Sequence, residues 1–160
     1  MESFVYIDQS GINTYMIREY ARSPIGQKII GEYSGKKYKR ISFCAALTSD
    51  QILAPLVYEG TMNQKLFEEY IIMLLNELTK DKVIILDNAS IHKSKKIKSL
   101  IRKSKCKLVF LPPYCPYLNP IENFWGWFKN KVRDVGSSFG TLQDDVDHLF
   151  QTCNLIYYSP

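Results

Sequence analysis

The chain has 160 residues, of which 46% are hydrophobic and 23% charged, with a formal net charge of +5. That profile fits one globular domain, residues 1–160, long enough to bury a core; it excludes a membrane helix, which needs about 20 consecutive apolar residues, and the first 30 residues lack the pattern of a signal peptide. A cytosolic location is expected, and the basic balance permits a polyanionic partner without requiring one.

Phe4-Val5-Tyr6-Ile7 reads as a buried strand ending at Asp8. Gln9-Ser10-Gly11 carries turn chemistry, and residues 13–19 read as a second strand. Residues 20–38, with Pro24, Gly26, Gly31 and Gly35, read as an irregular exposed segment. Residues 40–48 make a third strand and 52–58 a fourth, and Pro55 predicts that the fourth lies at a sheet edge, because proline cannot donate to the ladder. Phe67, Tyr70, Ile71, Leu74 and Leu78 then recur every three or four residues, so 63–79 is an amphipathic helix capped by Asn63 or Thr61.

Val83-Ile84-Ile85-Leu86 is a short apolar run ending at Asp87, the pattern of a strand covered on both faces. Residues 93–104 predict a helix with Ile97, Leu100 and Ile101 inward, and 107–111 another buried strand. Asn119-Pro120 opens a further helix, Asn as N-cap and Pro in the first turn, which runs to about Arg133 and carries Glu122. A last helix spans about 141–155. Antiparallel strands followed by βαβ crossovers imply a mixed sheet with helices on its faces.

Two carboxylates thus follow apolar strands directly, Asp8 and Asp87. On neighbouring strands they would stand about 5 Å apart, repel, and raise each other's pKa. A divalent cation relieves that repulsion. Two such ions roughly 3.5–4 Å apart stabilise both the attacking and the leaving oxygen of a phosphodiester displacement. Mg²⁺ is usually held by one or two carboxylates plus substrate phosphate. Glu122, in a first helical turn after the next strand, is placed to supply a third carboxylate.

The words around these acids are specific. Residues 86–94, Leu-Asp-Asn-Ala-Ser-Ile-His-Lys-Ser, and 111–123, Leu-Pro-Pro-Tyr-Cys-Pro-Tyr-Leu-Asn-Pro-Ile-Glu-Asn, resemble the two signature blocks of the DDE transposases of the mariner superfamily. The bacterial insertion-sequence branch IS-six-thirty is the nearest match. The 34 residues between Asp87 and Glu122 fit that branch's spacing, and Ile7-Asp8-Gln9-Ser10-Gly11 resembles its first-aspartate block. The resemblance covers about residues 3–133. It implies a ribonuclease-H-like fold, a mixed five-stranded sheet with helices on both faces. It also implies two Mg²⁺ or Mn²⁺ ions held by Asp8, Asp87 and Glu122, and cleavage and joining of DNA at transposon ends. A homodimer in the active complex is implied as well. Many relatives carry an acid where this chain has Gln9, and another where it has Tyr117. Relatives also carry a helix-turn-helix before the first aspartate; only seven residues precede Asp8 here, so the expectation is a catalytic domain, a frameshift product whose partner is a separate N-terminal DNA-binding polypeptide, or a remnant.

Between Lys93 and Lys107 lie eight Lys or Arg and no acid. Lys93, Lys95, Lys96, Lys98 and Arg102, with His92, are candidate DNA contacts, salt-sensitive and indifferent to sequence; the alternative is the solvated face of a helix. His92 either orients water or substrate near the metals or caps the basic helix. Asn88 either fixes Asp87 or makes a turn. Asn119 supports the helix bearing Glu122. Phe124 and Phe128 are expected in the core, with Trp125 and Trp127 undecided. Cys44, Cys106, Cys115 and Cys153 lack zinc-ligand spacing and are expected to be reduced thiols. Two other functions share these features. One is a ribonuclease-H-like nuclease on RNA–DNA hybrids, against which the acid spacing and the Pro-Pro-Tyr block argue. The other is a DNA-binding remnant without catalysis.

Overall fold

Five strands in the order β3-β2-β1-β4-β5 form a single sheet in the computed structural model, which describes residues 3–13, 25, 40–113, 115–136 and 138–153. They are β1 (Ser3–Asn13), β2 (Arg40–Leu47), β3 (Ile52–Glu59), β4 (Lys82–Leu86) and β5 (Lys107–Phe110). β1 pairs antiparallel with β2 and parallel with β4, and β4 pairs parallel with β5. The sheet is therefore mixed, as expected.

β1 is longer than its composition suggests. Gln9, Ser10 and Gly11 do not turn the chain; they continue the strand opposite Cys44, Phe43 and Ser42. A neighbour that satisfies the backbone outweighs the local turn preference of these residues. Gly11 serves close approach instead, since a Cβ there would sit 2.6 Å from Nε of Arg40. Of the expected second strand at 13–19, Asn13 belongs to β1 and the rest lies outside the described residues, as does the segment 20–38 apart from Ile25.

β3 is an edge strand, as Pro55 predicted. The ladder with β2 shifts register between Cys44 and Ala46, where Ala54 and Pro55 bulge and Ala54 takes a φ of 47°. The Ala54 N–H, lost to the ladder, donates to Oε2 of Glu77 at 3.0 Å. At the other edge β5 differs from the buried strand expected. Its residues alternate between exposed and half-buried, because only one face of this edge strand is covered by a helix.

Among the described residues four helices cover the sheet: α1 (Gln64–Glu77), α2 (Lys95–Lys103), α3 (Ile121–Val135) and α4 (Leu142–Thr152). Asn63 caps α1, its Oδ1 accepting from the Leu66 N–H at 2.9 Å. Thr141 and Asp144 form a capping box on α4. α3 ends at Gly136, whose φ of 54° suits a residue without Cβ.

The core is two layers split by the sheet. On one face Val5, Ile7, Ile84 and Leu86 meet Phe67, Tyr70, Ile71 and Leu74 of α1 and Ile97 and Ile101 of α2. On the other, Phe43, Ala45 and Leu47 meet Phe124, Trp125 and Phe128 of α3 and Val146 of α4. Alternation along β1 sends Val5 and Ile7 to the α1 side, so Asp8 faces α3. Among the described residues no helix is long and apolar enough to cross a membrane. Cys44 and Cys106 are buried, and all four cysteines are free thiols.

Candidate active site

Asp8 does not end its strand; it sits within β1, opposite Ala45 of β2. What ends there is the pairing with β4. That parallel register runs to Tyr6 opposite Ile85, and two further residues bring Asp8 level with Asp87. At that point β4 has finished at Leu86, whose carbonyl accepts from the Leu111 N–H at 2.8 Å. The two chains part just where their carboxylates come level, and a cavity of about 410 Å³ opens between them. Asp8, Asp87, Asn88, Asn119 and Glu122 all line it. The three predicted acids thus share one site.

Each carboxylate has a different environment. Asp8 is largely buried, and its Oδ2 accepts from the indole Nε1–H of Trp125 at 3.1 Å. Burial pushes its pKa up to about 7; Glu122 and Asp87 add to the rise, while the Gln9 backbone N–H and the Trp125 indole oppose it. Asp87 is half-exposed and is driven the other way, below the usual carboxylate range, first by His92, then by the Ala89 N–H and the charge of Lys93. The Ala89 N–H donates to its Oδ1 at 2.9 Å, so the bond that fixes Asp87 comes from Ala89 and not from the Asn88 side chain. Glu122 stands exposed in the first turn of α3, where the helix macrodipole favours a negative charge.

Asn119 does not cap α3 through its side chain. The Glu122 N–H donates to the Asn119 backbone carbonyl at 3.1 Å, while the buried Asn119 Oδ1 has no hydrogen-bond partner among the described residues. A buried acceptor without a donor is costly. Asn119 is among the residues lining the cavity that the acids share, and amide oxygens suit Mg²⁺ or Mn²⁺. Among the described residues no three His, Cys, Asp or Glu side chains already converge as a closed metal cluster. The donor chemistry fits a divalent cation; the acids surround a space and do not close on a point.

His92 was expected at a DNA surface, and the structure removes it from there. It is 2% exposed and stacks on Phe67, ring centroids 4.2 Å apart. Its Nδ1 lies 2.5 Å from Oδ1 of Asp87, and its Nε2 lies 2.8 Å from the Gln9 amide nitrogen. The Nδ1 contact is short but departs from ideal hydrogen-bond geometry. Because the buried Nδ1 has no other partner among the described residues, the carboxylate is what it faces.

The basic run is divided. Lys93 precedes α2 and lies close enough to Asp87 to help hold it ionised. Ser94 caps the helix, its Oγ accepting from the Ile97 N–H. Lys96 is turned to α1, its Nζ 3.0 Å from Oε2 of Glu68. Lys95, Lys98 and Arg102 are exposed, and Lys98 and Arg102 border a separate depression of about 350 Å³ with Cys106, Leu108 and Phe110.

A family profile described as DDE superfamily endonuclease matches residues 3–144. The chain belongs to that family. A curated relative by sequence, the uncharacterized protein y4pE/y4sA of Sinorhizobium fredii, is 34% identical over 83 residues, covering 49% of this chain and 55% of that protein. The Mos1 transposase, in its paired-end complex with the left transposon end, superposes with a TM-score of 0.65 at 14% identity, over 93% of this chain and 52% of that one. The simian T-cell lymphotropic virus intasome, in complex with PP2A regulatory subunit B56 gamma, gives 0.62 at 11% identity, over 98% and 54%. At such identities the likeness is one of fold, and it is the ribonuclease-H-like fold expected. The chain spans about half the length of these proteins.

Two residues beside the acids carry no signal in the sequence. Trp125 was one of several aromatics on a helix, and nothing in that run marks which indole meets Asp8. Gln9 was read as a turn residue, although alternation from Ile7 places it on the α1 face, where His92 lies. Trp125→Phe tests the first contact. It keeps an aromatic ring in the core but removes the donor, and hydrogen bonds to charged groups contribute about 1.5–3 kcal/mol. The expected result is a fall in melting temperature at pH 8 that shrinks at pH 5, where Asp8 is protonated. An equal fall at both pH values would assign the loss to packing alone.

Proposed function

We propose that this chain is the catalytic domain of a cut-and-paste DNA transposase of the IS-six-thirty branch, a single domain over residues 1–160. The observation that carries this reading is the shared cavity of Asp8, Asp87 and Glu122, formed where β1 and β4 part and roofed by α3. The motif blocks around Asp87 and Glu122 support the branch. The Mos1 mariner paired-end complex has been solved with Mn and with Mg, which supports a divalent cofactor here.

Asp8, Asp87 and Glu122 would hold two Mg²⁺ or Mn²⁺ ions, with the Asn119 amide oxygen beside them. Bound there, such ions supply positive charge to the attacking and leaving oxygens of a phosphodiester. The protein's own groups prepare the ligands. Ala89, His92 and Lys93 hold Asp87 ionised. Trp125 fixes the rotamer of Asp8, which at neutral pH gives up a proton when a cation arrives. Lys93, Lys95, Lys98 and Arg102 are the proposed phosphate contacts, with Lys96 shared between DNA and Glu68. Transposon ends and target DNA are the proposed substrates. A homodimer that holds two ends, and a separate N-terminal DNA-binding polypeptide, are the proposed assembly. The proposed location is the cytoplasm, associated with the nucleoid if the host is bacterial.

The deciding experiment is Mn²⁺-dependent nicking of supercoiled plasmid, with an RNA–DNA hybrid in parallel. Nicking of plasmid with the hybrid left intact is expected. Cleavage of the hybrid alone would favour a ribonuclease-H-like nuclease, and no cleavage of either would favour a non-catalytic remnant. Binding should be weak and indifferent to sequence, since phosphate contacts position but do not specify. Four such contacts predict that log K falls against log salt with a slope of about −4. A preference above about tenfold for the parent element's terminal repeats, some 1.4 kcal/mol, would place sequence recognition in this domain.

A further inference from the structure

We propose that Gln9 and His92 form a positioning pair that sets how Asp87 presents itself to the cavity. The side-chain amide of Gln9 brings its nitrogen to 2.8 Å from His92 Nε2. An amide nitrogen only donates, so Nε2 accepts and the ring proton resides on Nδ1. Nδ1 is the atom that faces Asp87 Oδ1, at 2.5 Å. The ring has little freedom to leave this arrangement, being 2% exposed and stacked on Phe67. The Ala89 N–H also reaches Oδ1. Both contacts therefore fall on one oxygen, which leaves Oδ2 without a protein partner among the described residues and free for a ligand in the cavity.

The chain of contacts crosses the sheet's end. Gln9 lies on β1, one residue after Asp8; His92 follows β4, in the short 3₁₀ turn Ser90–His92. The strand bearing one acid thereby steers the side chain of the other. An amide donor at Gln9 holds Nε2 as an acceptor, whereas a carboxylate there would accept from Nε2–H and favour the doubly protonated ring. Outer partners of this kind tune metal ligands by orienting them, and their loss typically lowers metal affinity about 10–100-fold.

The assignment to a metal ligand rests on the function proposed above, and the test separates the two. The chain has two histidines, so ¹⁵N labelling resolves both rings, with His148→Gln to assign them. In metal-free protein, two-bond ¹H–¹⁵N correlation is expected to show His92 protonated on Nδ1 with a bare Nε2. Gln9→Met, similar in size but without a donor, is expected to mix the tautomers while the amide spectrum stays native. In the second arm, Mn²⁺ affinity is titrated calorimetrically. Gln9→Met and His92→Leu are expected to weaken it at least about tenfold. His92→Asn, whose amide nitrogen can stand where Nδ1 stands, is expected to recover part of that loss. A wild-type His92 protonated on Nε2, or a tautomer unmoved by Gln9→Met, would overturn the pair. Normal tautomer behaviour with no Mn²⁺ binding by the parent would instead overturn the metal reading and leave the Gln9–His92 contact standing.

Discussion

Asp87→Ala is expected to reduce Mn²⁺-dependent nicking by at least about 1000-fold, equivalent to about 4 kcal/mol of activation free energy, while leaving a folded domain. The two halves of that expectation have separate causes. Asp87 leaves the end of β4 half-exposed, and no core residue packs through it. Its removal does orphan the buried Nδ1 of His92, at a cost of about 1–3 kcal/mol. It also relieves the repulsion that Asp87 exerts on Asp8, which works in the opposite direction. Stability therefore changes little, whereas a proposed cation ligand is gone. Nicking kinetics and a thermal melt on the same preparation check both halves. Parental nicking by the variant would show that Asp87 holds no metal.

Asp8→Asn is expected to raise the melting temperature of the metal-free protein at pH 8 and, at the same time, to abolish cleavage. The Asp8 carboxyl has a folded-state pKa of about 7 against an ordinary value of 3.8, chiefly because it is buried. The folded state thus binds its proton more tightly than the unfolded chain does. The associated stability is fully present below about pH 4 and is lost as pH rises towards 7. Above pH 7 the folded protein carries a buried anion at a cost of about 4 kcal/mol. Asparagine removes the charge and keeps an oxygen for the Trp125 indole. A gain of about 2–4 kcal/mol at pH 8, or roughly 5–10 °C for a domain of this size, should vanish at pH 4. Differential scanning calorimetry at the two pH values is the measurement. A gain independent of pH would mean that packing, not charge, is the cause. Mn²⁺ should stabilise the parent and not the variant.

Much of the fold was legible because its signals are strong and local. The apolar run at Val83–Leu86, the helical period through Phe67 and Leu74, and Pro55 on its edge strand each have one physical reading, and each stands where it was expected. The acids were legible because the motif blocks gave the adjacency that spacing alone left conditional. The failures occurred where tertiary context overrides local preference. Gln9-Ser10-Gly11 extends β1 because β2 offers it a ladder. β5 is half-exposed because nothing covers its outer face, which a string of apolar residues does not reveal. His92 is buried because Phe67, 25 positions earlier, supplies a ring to stack on. The partners Trp125 and Gln9 depend on side-chain directions across separate elements, and no sequence interval encodes those.

The aromatic layer beneath α3 has a mechanical consequence. Asp8 lies within β1 and Asp87 directly follows β4, both held by one sheet, but Glu122 belongs to a helix reached through Pro112, Pro113, Pro116 and Pro120. Its distance from the other two acids is therefore a matter of how α3 stands on the sheet. That standing height is set by Phe43 wedged between Trp125 and Phe128, at centroid distances of 5.0 and 5.5 Å, with Phe150 of α4 against all three. The cluster works as a shim, and its thickness sets the spacing between α3 and the sheet. A methylene added or removed there touches none of the three acids, yet it would shift the third against the other two. In this domain the core is part of the instrument's alignment.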